Sequence, residues 1–356
     1  MNALFQPDTG GHPRILVIRR DNIGDLVCTT PLFSALRTKY PQAWISALVN
    51  RYNAPVLQNN PNLSAVFSYQ KAKHRARGES LAAIYWERLR LILQLRRLGI
   101  DFVILAAPSF QASAARFARA VKPRHIVGFA DQADWIDTPV PRSGGSRHQV
   151  ETIFRLLQPL GIEGPPPPLC VTPDPGRQQN LRAALPATPG PVVGVHISAR
   201  EADRRWPDSC FHDLMGRILA SYGGAIVLTW APGNEANPHF PGDDASARQL
   251  ANGSCGEQVV ALPTPGIGDL IASLSLCDYV VCSDGGPVHL AAALGKPVLC
   301  FFGSEDPRIW YPWGVPYELL QKESRLVRDI EVEEAWTAFR RLVEKTSARL
   351  YSDAGS

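Results

Sequence analysis

The stretch that most limits the fold of this chain runs from Tyr279-Val280-Val281-Cys282 through Ser283-Asp284-Gly285-Gly286-Pro287-Val288-His289 into the apolar segment 290–294. An apolar run, a tight polar turn with two glycines and a second apolar run spell strand, turn, helix. A glycine-rich turn lets the backbone approach a ligand closely. The first amides of the helix lack internal partners and lie at the positive end of its dipole, which suits an anion. The expected guest is a phosphate-bearing ligand. A second small-residue turn, Asp21-Asn22-Ile23-Gly24-Asp25, follows another apolar strand near the N-terminus. Two such turns in two halves of one chain predict two nucleotide-fold domains.

At 356 residues the chain fits two domains of ordinary size. No apolar run reaches the length of a bilayer span. Residues 1–11 lack the basic segment and apolar core of a secretory signal. The net charge of +4 is mildly basic and is not by itself a nucleic-acid signature. The basic residues do cluster: Lys71, Lys73, His74, Arg75 and Arg77 are followed by Arg88, Arg90, Arg96 and Arg97 on an expected helix. Such a cluster reads as a solvated face or as an attraction to an anionic acceptor or membrane surface. The seven cysteines include no CxxC pair, and several sit in apolar strands. Buried free thiols in a reducing compartment are expected, not a structural zinc site.

Strand patterns at 14–19, 43–49, 101–106 and 125–128 alternate with helical patterns at 30–40, 79–98 and 150–160, which predicts a parallel sheet covered by helices. A proline-rich stretch, 161–176, contains Pro165-Pro166-Pro167-Pro168 and breaks the pattern. The alternation then resumes with strands at 191–196, 225–230, 259–262, 279–282 and 297–302 and helices at 208–221 and 267–276. The expected organisation is an N-terminal domain over 1–164, a linker over 165–190 and a second domain over 191–330. A C-terminal helix over 331–356 has the option of crossing back to the first domain.

Asp25, after Gly24 at the tip of the first turn, is placed to act as a general base on a hydroxyl. The competing reading, which this segment alone favours, is a helix N-cap. Asp21 is a weaker rival for the base. In the loop after the strand at 191–196, Arg204 and Arg205 suit a pyrophosphate clamp and Ser198 a hydroxyl donor. Local pairing of Arg200, Arg204 and Arg205 with Glu201, Asp203 and Asp208 competes with that reading. Glu235, after the Pro232-Gly233 turn, is either a ribose contact or an exposed loop acid. Asp284, Gly285, Gly286 and His289 form the anion turn itself. Asp243-Asp244 reads as surface charge, not as a metal pair. No GxGxxG, GxxxxGK[ST] or GxSxG run follows a strand, so a dehydrogenase ranks low.

Together, IRRDNIGDLVCTTPLFSALRTKYP, RRWP, WAPGNE and SDGGPVHLAAALGKPVLCFFGSEDP resemble glycosyltransferase family 9, the ADP-heptose:lipopolysaccharide heptosyltransferases. The resemblance spans nearly the whole chain. It implies an α/β, GT-B fold: two Rossmann-like domains whose parallel sheets face each other across a cleft. It implies acceptor binding in the first domain and sugar-nucleotide binding in the second. It implies Asp25 as catalytic base of an inverting transfer. Donor contacts are then expected from Ser198, Arg204, Arg205, Glu235, Asp284, Gly285, Gly286 and His289. Arg204 replaces the family's usual Lys, and Ala199 stands where some members carry a second hydroxyl. ADP-heptose would be the donor and an anionic lipopolysaccharide core glycolipid the acceptor, with Lys71, Lys73, Arg75 and Arg77 attracting it. No metal, other cofactor or nucleic acid is expected. The chain is expected in the cytoplasm, in peripheral contact with the inner membrane face. The alternatives are another sugar-nucleotide enzyme of the same fold, an epimerase included, or an inactive sugar-nucleotide-binding protein.

Overall fold

The computed structural model describes residues 12–69, 80–129, 135–142, 147–234, 242–253 and 258–353. The chain divides into two compact units, Met1–Val171 and Thr172–Ser356.

The first unit contains β1 (Arg14–Ile18), α1 (Ile23–Val27), α2 (Thr30–Lys39), β2 (Trp44–Asn50), a 3-10 turn (Arg51–Leu57), β3 (Ala65–Tyr69), α3 (Leu81–Leu98), β4 (Phe102–Leu105), α4 (Ala112–Val121), β5 (His125–Phe129), β6 (Thr138–Val140) and α5 (Gln149–Phe154). Its strands form one parallel sheet in the order β3-β2-β1-β4-β5-β6. The central strands are apolar along their length because helices cover both faces of a parallel sheet, leaving no side for water. On one face, Leu91 and Leu95 of α3 and Ala114, Phe117 and Val121 of α4 close over Leu16, Ile18 and Val103.

The second unit contains α6 (Pro175–Arg182), β7 (Val192–His196), α7 (Asp208–Tyr222), β8 (Ala225–Trp230), α8 (Asp244–Ala251), β9 (Val259–Pro263), α9 (Ile267–Ser275), β10 (Tyr279–Ser283), α10 (Gly286–Ala293), β11 (Val298–Phe302), α11 (Pro307–Trp310), β12 (Tyr317–Gln321) and α12 (Val332–Asp353). Its sheet is also parallel, in the order β12-β11-β10-β7-β8-β9. Each sheet thus places its first strand beside its fourth. This is the doubly wound order of nucleotide-binding folds, and its strand order reverses between β1 and β4 and between β7 and β10. Ligands of open α/β sheets bind at the carboxyl ends of such strand pairs.

Two segments depart from the periodicity. The helix expected over 150–160 is α-helical only through Phe154 and continues as a 3-10 turn, Arg155–Leu160. Pro159 accounts for this, because it lacks an N–H and its ring clashes with the carbonyl one turn back. The proline-rich stretch ends in α6, with Pro175 at its first position and the Asp174 carboxylate accepting from the Arg177 amide at 2.8 Å.

Helix α12 packs into the core of the second unit. Phe339 is fully buried, with its ring 6.0 Å from Tyr222 and 5.7 Å from Tyr279. Arg341 and Lys345 bind Glu318 of β12, holding its carboxyl below the usual range although burial opposes this. Phe339→Ala leaves a cavity under the helix and is expected to cost about 3–5 kcal/mol. Chemical denaturation checks this; a loss within experimental error would show that α12 is not part of the cooperative unit.

Candidate active site

In each unit, polar and charged side chains gather where the strand order reverses. In the first unit β1 delivers Arg19, which is only 1% exposed. A buried guanidinium needs counter-charge and acceptors. Its Nη1 donates to the Ala106 carbonyl beyond β4, its Nη2 donates to Asp25 Oδ1, and its Nε lies 3.3 Å from Asp21 Oδ2. Asp25 Oδ2 accepts from the Asn22 amide at 3.1 Å. Gln111 Nε2 donates to Asp21 Oδ1 at 2.7 Å, and Asn53 Nδ2 donates to the Asp21 carbonyl at 2.6 Å.

The N-cap reading of Asp25 is therefore corrected. Asn22, with extended backbone, is the N-cap of α1, and Asp25 is the third helical residue, its carboxylate reaching back to the cap amide. Each carboxylate oxygen of Asp25 makes one such bond. A carboxylate oxygen carries two lone pairs, so each can still accept a proton from a hydroxyl. The Asp21 carboxylate likewise has two contacts, with Gln111 and with Arg19.

In the second unit β7 ends at His196. Burial pushes this imidazole's pKa down to about 4, and its Nδ1 lies 3.0 Å from Thr229 Oγ1. It is neutral near pH 7 and ties β7 to β8. The loop beyond carries Ser198, Arg204 and Arg205. Arg204 Nη2 donates to Glu305 Oε1 at 2.8 Å, and its Nη1 lies 3.1 Å from Asp284 Oδ2. Arg205 Nη1 donates to Asp243 Oδ1 at 2.7 Å. Pairing with sequence neighbours does not occur for either arginine; the partners come from three other loops. Arg204 Nε and Arg205 Nη2 are buried without a hydrogen-bond partner among the described residues.

Asp243, read from sequence as surface charge, is 2% exposed and sits at the centre of this cluster. Its Oδ2 accepts from Ser198 Oγ at 2.5 Å, and Ser198 Oγ in turn accepts from the Ala231 amide at 2.8 Å. The Ser198 hydrogen is thus committed to Asp243. Asp243 was missed because it precedes a short helix in a Pro/Gly-rich loop. Its neighbour Asp244 accepts from Trp230 Nε1 at 2.7 Å and from the Gly233 amide at 3.1 Å, fixing the turn after β8. Glu305 was also missed, and Asp203, read as a local partner of the arginines, is used differently. Asp203 holds the loop after β11 through the Ser304 amide at 3.0 Å.

The opening turn sits beside these arginines. Gly285 has φ +151° and ψ −163°, a conformation open essentially only to glycine, and it caps α10. Asp284 is 6% exposed. Burial pushes its carboxyl up to about 6 against the opposing pull of Arg204; the nearby Glu305 and Asp203 add to the rise. His289, on the first turn of α10, is buried and meets Trp310 edge-on at 5.6 Å. Ser198, Arg204, Arg205, Asp284, Gly285, Gly286 and His289 therefore all lie at or beside one switch point of the second unit, and Asp25 at that of the first. Glu235, Lys71, Lys73, Arg75 and Arg77 lie outside the described residues. Among the described residues no group of three His, Cys, Asp or Glu side chains is arranged to hold a metal ion.

The sequence model of glycosyltransferase family 9 (heptosyltransferase) matches residues 88–333, more than half of the chain. The chain belongs to this family. It is a transferase, similar to lipopolysaccharide heptosyltransferase 3 of Escherichia coli, at 28% identity over 82% of this chain and 83% of the relative. It is also similar to lipopolysaccharide heptosyltransferase 1 of E. coli K12, at 25% identity over 83% of this chain and 89% of that one. Among solved structures, a family 9 glycosyltransferase from Veillonella parvula superimposes with a TM-score of 0.79 at 17% identity, covering 94% of this chain and 97% of that one. E. coli ADP-heptose heptosyltransferase II gives 0.74 at 18% identity, covering 94% and 99%. These likenesses show the GT-B fold. No described helix is long and apolar enough to cross a membrane.

The raised carboxyl of Asp284 has a consequence for stability. Its folded value lies above the unfolded one, so the folded state holds the proton more tightly. The associated stability is fully present below about pH 4 and is lost as pH rises through about 6. Relative to Asp284→Asn, the wild type is expected to gain stability as pH falls from 7 to 4, by up to about 3 kcal/mol. Urea denaturation at several pH values measures the difference. A wild type that instead loses ground on the variant over this range would mean that the Arg204 ion contact outweighs burial.

Proposed function

We propose that this chain transfers a heptose from ADP-heptose to a lipopolysaccharide core acceptor with inversion at the anomeric carbon. The observation that carries the donor half is the pair of half-buried arginines, each with one buried N–H group that has no partner among the described residues, beside the glycine turn of α10. Carboxylates hold both guanidinium groups from behind, so their remaining N–H groups are preorganised for an anion rather than for solvent. A pyrophosphate has the charge and the number of acceptor oxygens to satisfy them. Glu235 is assigned to the ribose, and Asp284 to orientation of the sugar and the arginine.

In the proposed step Asp25 accepts the proton of an acceptor hydroxyl. The hydroxyl oxygen forms a bond to the anomeric carbon as the bond from that carbon to the phosphate oxygen breaks. ADP leaves with the electron pair from the opposite face. Arg204 and Arg205 neutralise the charge growing on the leaving diphosphate. Arg19 holds the base in place, and Lys71, Lys73, Arg75 and Arg77 attract the anionic acceptor. The reaction is placed in the cytoplasm, at the inner face of the membrane. Membership of the heptosyltransferase family supports the reading, as do the relatives' names.

Asp25→Asn is expected to lower kcat by about 10²–10⁴-fold while ADP binding is retained. Its melting temperature should fall, because buried Arg19 loses one counter-charge, so turnover is compared at a temperature where the variant is folded. Arg204→Ala should lower kcat/KM for the donor by about 10²–10³-fold. Transfer assays with ADP-, UDP-, GDP- and CMP-sugars separate this reading from another sugar-nucleotide enzyme, and activity confined to ADP-heptose is expected. Near-normal turnover by Asp25→Asn would remove Asp25 as base, and binding of ADP-heptose without turnover on any core acceptor would favour the inactive binding protein.

A further inference from the structure

Of the six exposed large apolar side chains among the described residues, Tyr52 and Val66 stand apart and the other four cluster on one helix. Tyr85 is 62% exposed, Trp86 55%, Leu89 44% and Leu93 40%, and all four lie on α3. At 100° per residue these positions fall within an arc of about 100°. Leu91 and Leu95, on the other side of the helix, fill the core beneath. Helix α3 is thus apolar on two faces, only one of which the fold covers. Contiguous exposed apolar surface of this kind marks an interaction site.

The charge around the stripe says what it fits. Arg90 and Arg97 flank it on one side, and Arg90 stacks on the Trp86 ring with its guanidinium carbon 5.2 Å from the centroid. The adjacent α4 and the loop after it add exposed Arg116, Arg119, Lys122 and Arg124. Between residues 80 and 124 there are eight Lys and Arg against two acids, whereas the whole chain nets only +4. Of the two acids, Glu87 is paired with Arg51 at 2.6 Å and Asp101 is buried. An apolar stripe with aromatic residues inside a cationic field is the pattern of a helix lying in a membrane interface. A second copy of the same chain fits poorly, because a two-fold contact would press like charges together.

We propose that the outer face of α3, framed by the cations of α3 and α4, is the surface on which this protein rests on an anionic lipid bilayer. Tyr85, Trp86, Leu89 and Leu93 insert among the upper acyl chains, while Arg90 and Arg97 reach the phosphate groups. The proposal requires neither donor nor acceptor, so it stands or falls apart from the transferase reading.

The test is co-sedimentation of the full chain with vesicles of phosphatidylglycerol and phosphatidylcholine, against vesicles of phosphatidylcholine alone. Binding is expected to the mixed vesicles and to weaken with salt. Arg90→Gln with Arg97→Gln should lower the partition coefficient about fivefold per arginine, from about 1 kcal/mol each. Trp86→Ser with Leu89→Ser should lower binding at both low and high salt. Both pairs of side chains are solvent-exposed, so unchanged melting temperatures should show that the variants fold. Absent binding, equal binding to both kinds of vesicle, or unaltered binding by both variants would overturn the proposal. So would a dimer, seen by light scattering, that Trp86→Ser with Leu89→Ser dissolves, since a second copy would then cover the face.

Discussion

Two half-buried guanidinium groups in one loop cluster, those of Arg204 and Arg205, set the terms for the second unit. Their partial burial calls for nearby anions, and Asp284, Glu305 and Asp243 supply them from the ends of β10 and β11 and the loop before α8. This arrangement fixes where each guanidinium points. It also leaves Arg204 Nε and Arg205 Nη2 without partners, and a buried donor left unmade costs free energy that a bound anion would recover. The donor side of the proposed chemistry follows from that imbalance. Ser198 supports it indirectly: its hydroxyl is spent on Asp243 and the Ala231 amide, so it holds the clamp together.

The two units solve one structural problem twice. Both sheets place their first strand beside the fourth, and both open a crevice at that junction. In the first unit the residues that arrive there are Arg19, Asp21 and Asp25, steadied by Gln111 and Asn53. In the second they are the two arginines and the glycine turn. The contrast lies in the side chains delivered: a carboxylate braced by a single buried cation in one unit, and cations braced by several carboxylates in the other. The first suits proton acceptance and the second suits a departing diphosphate.

The strands that lie at the centre of each sheet were legible in the sequence because burial on both faces makes them continuous apolar runs. The edge strands β3, β6 and β12 were not. They are short or only half-buried, and β6 carries Pro139. Helices α4, α6 and α8 lacked a strong apolar run of their own. At the site, the glycine turn and the arginines could be read because their chemistry is local. Asp243, Glu305 and Arg19 could not, because their importance lies in contacts with residues far along the chain. The competing reading of Asp25 as a cap was one role out of position, because sequence spacing does not distinguish the cap from the third residue of a helix capped by Asn22. The exposed stripe of α3 was hidden for a similar reason: its apolar residues look like core until the sheet claims only one side of the helix.

The central claim is that the unpartnered arginine N–H groups and the turn of α10 hold the diphosphate of the donor. The most direct measurement is a crystal structure with ADP or a fluorinated, non-transferable ADP-heptose. The account predicts diphosphate oxygens within hydrogen-bond distance of Arg204 Nε and Arg205 Nη2, at the amide end of α10. A diphosphate bound elsewhere, with both arginines keeping only their carboxylate partners, would contradict it.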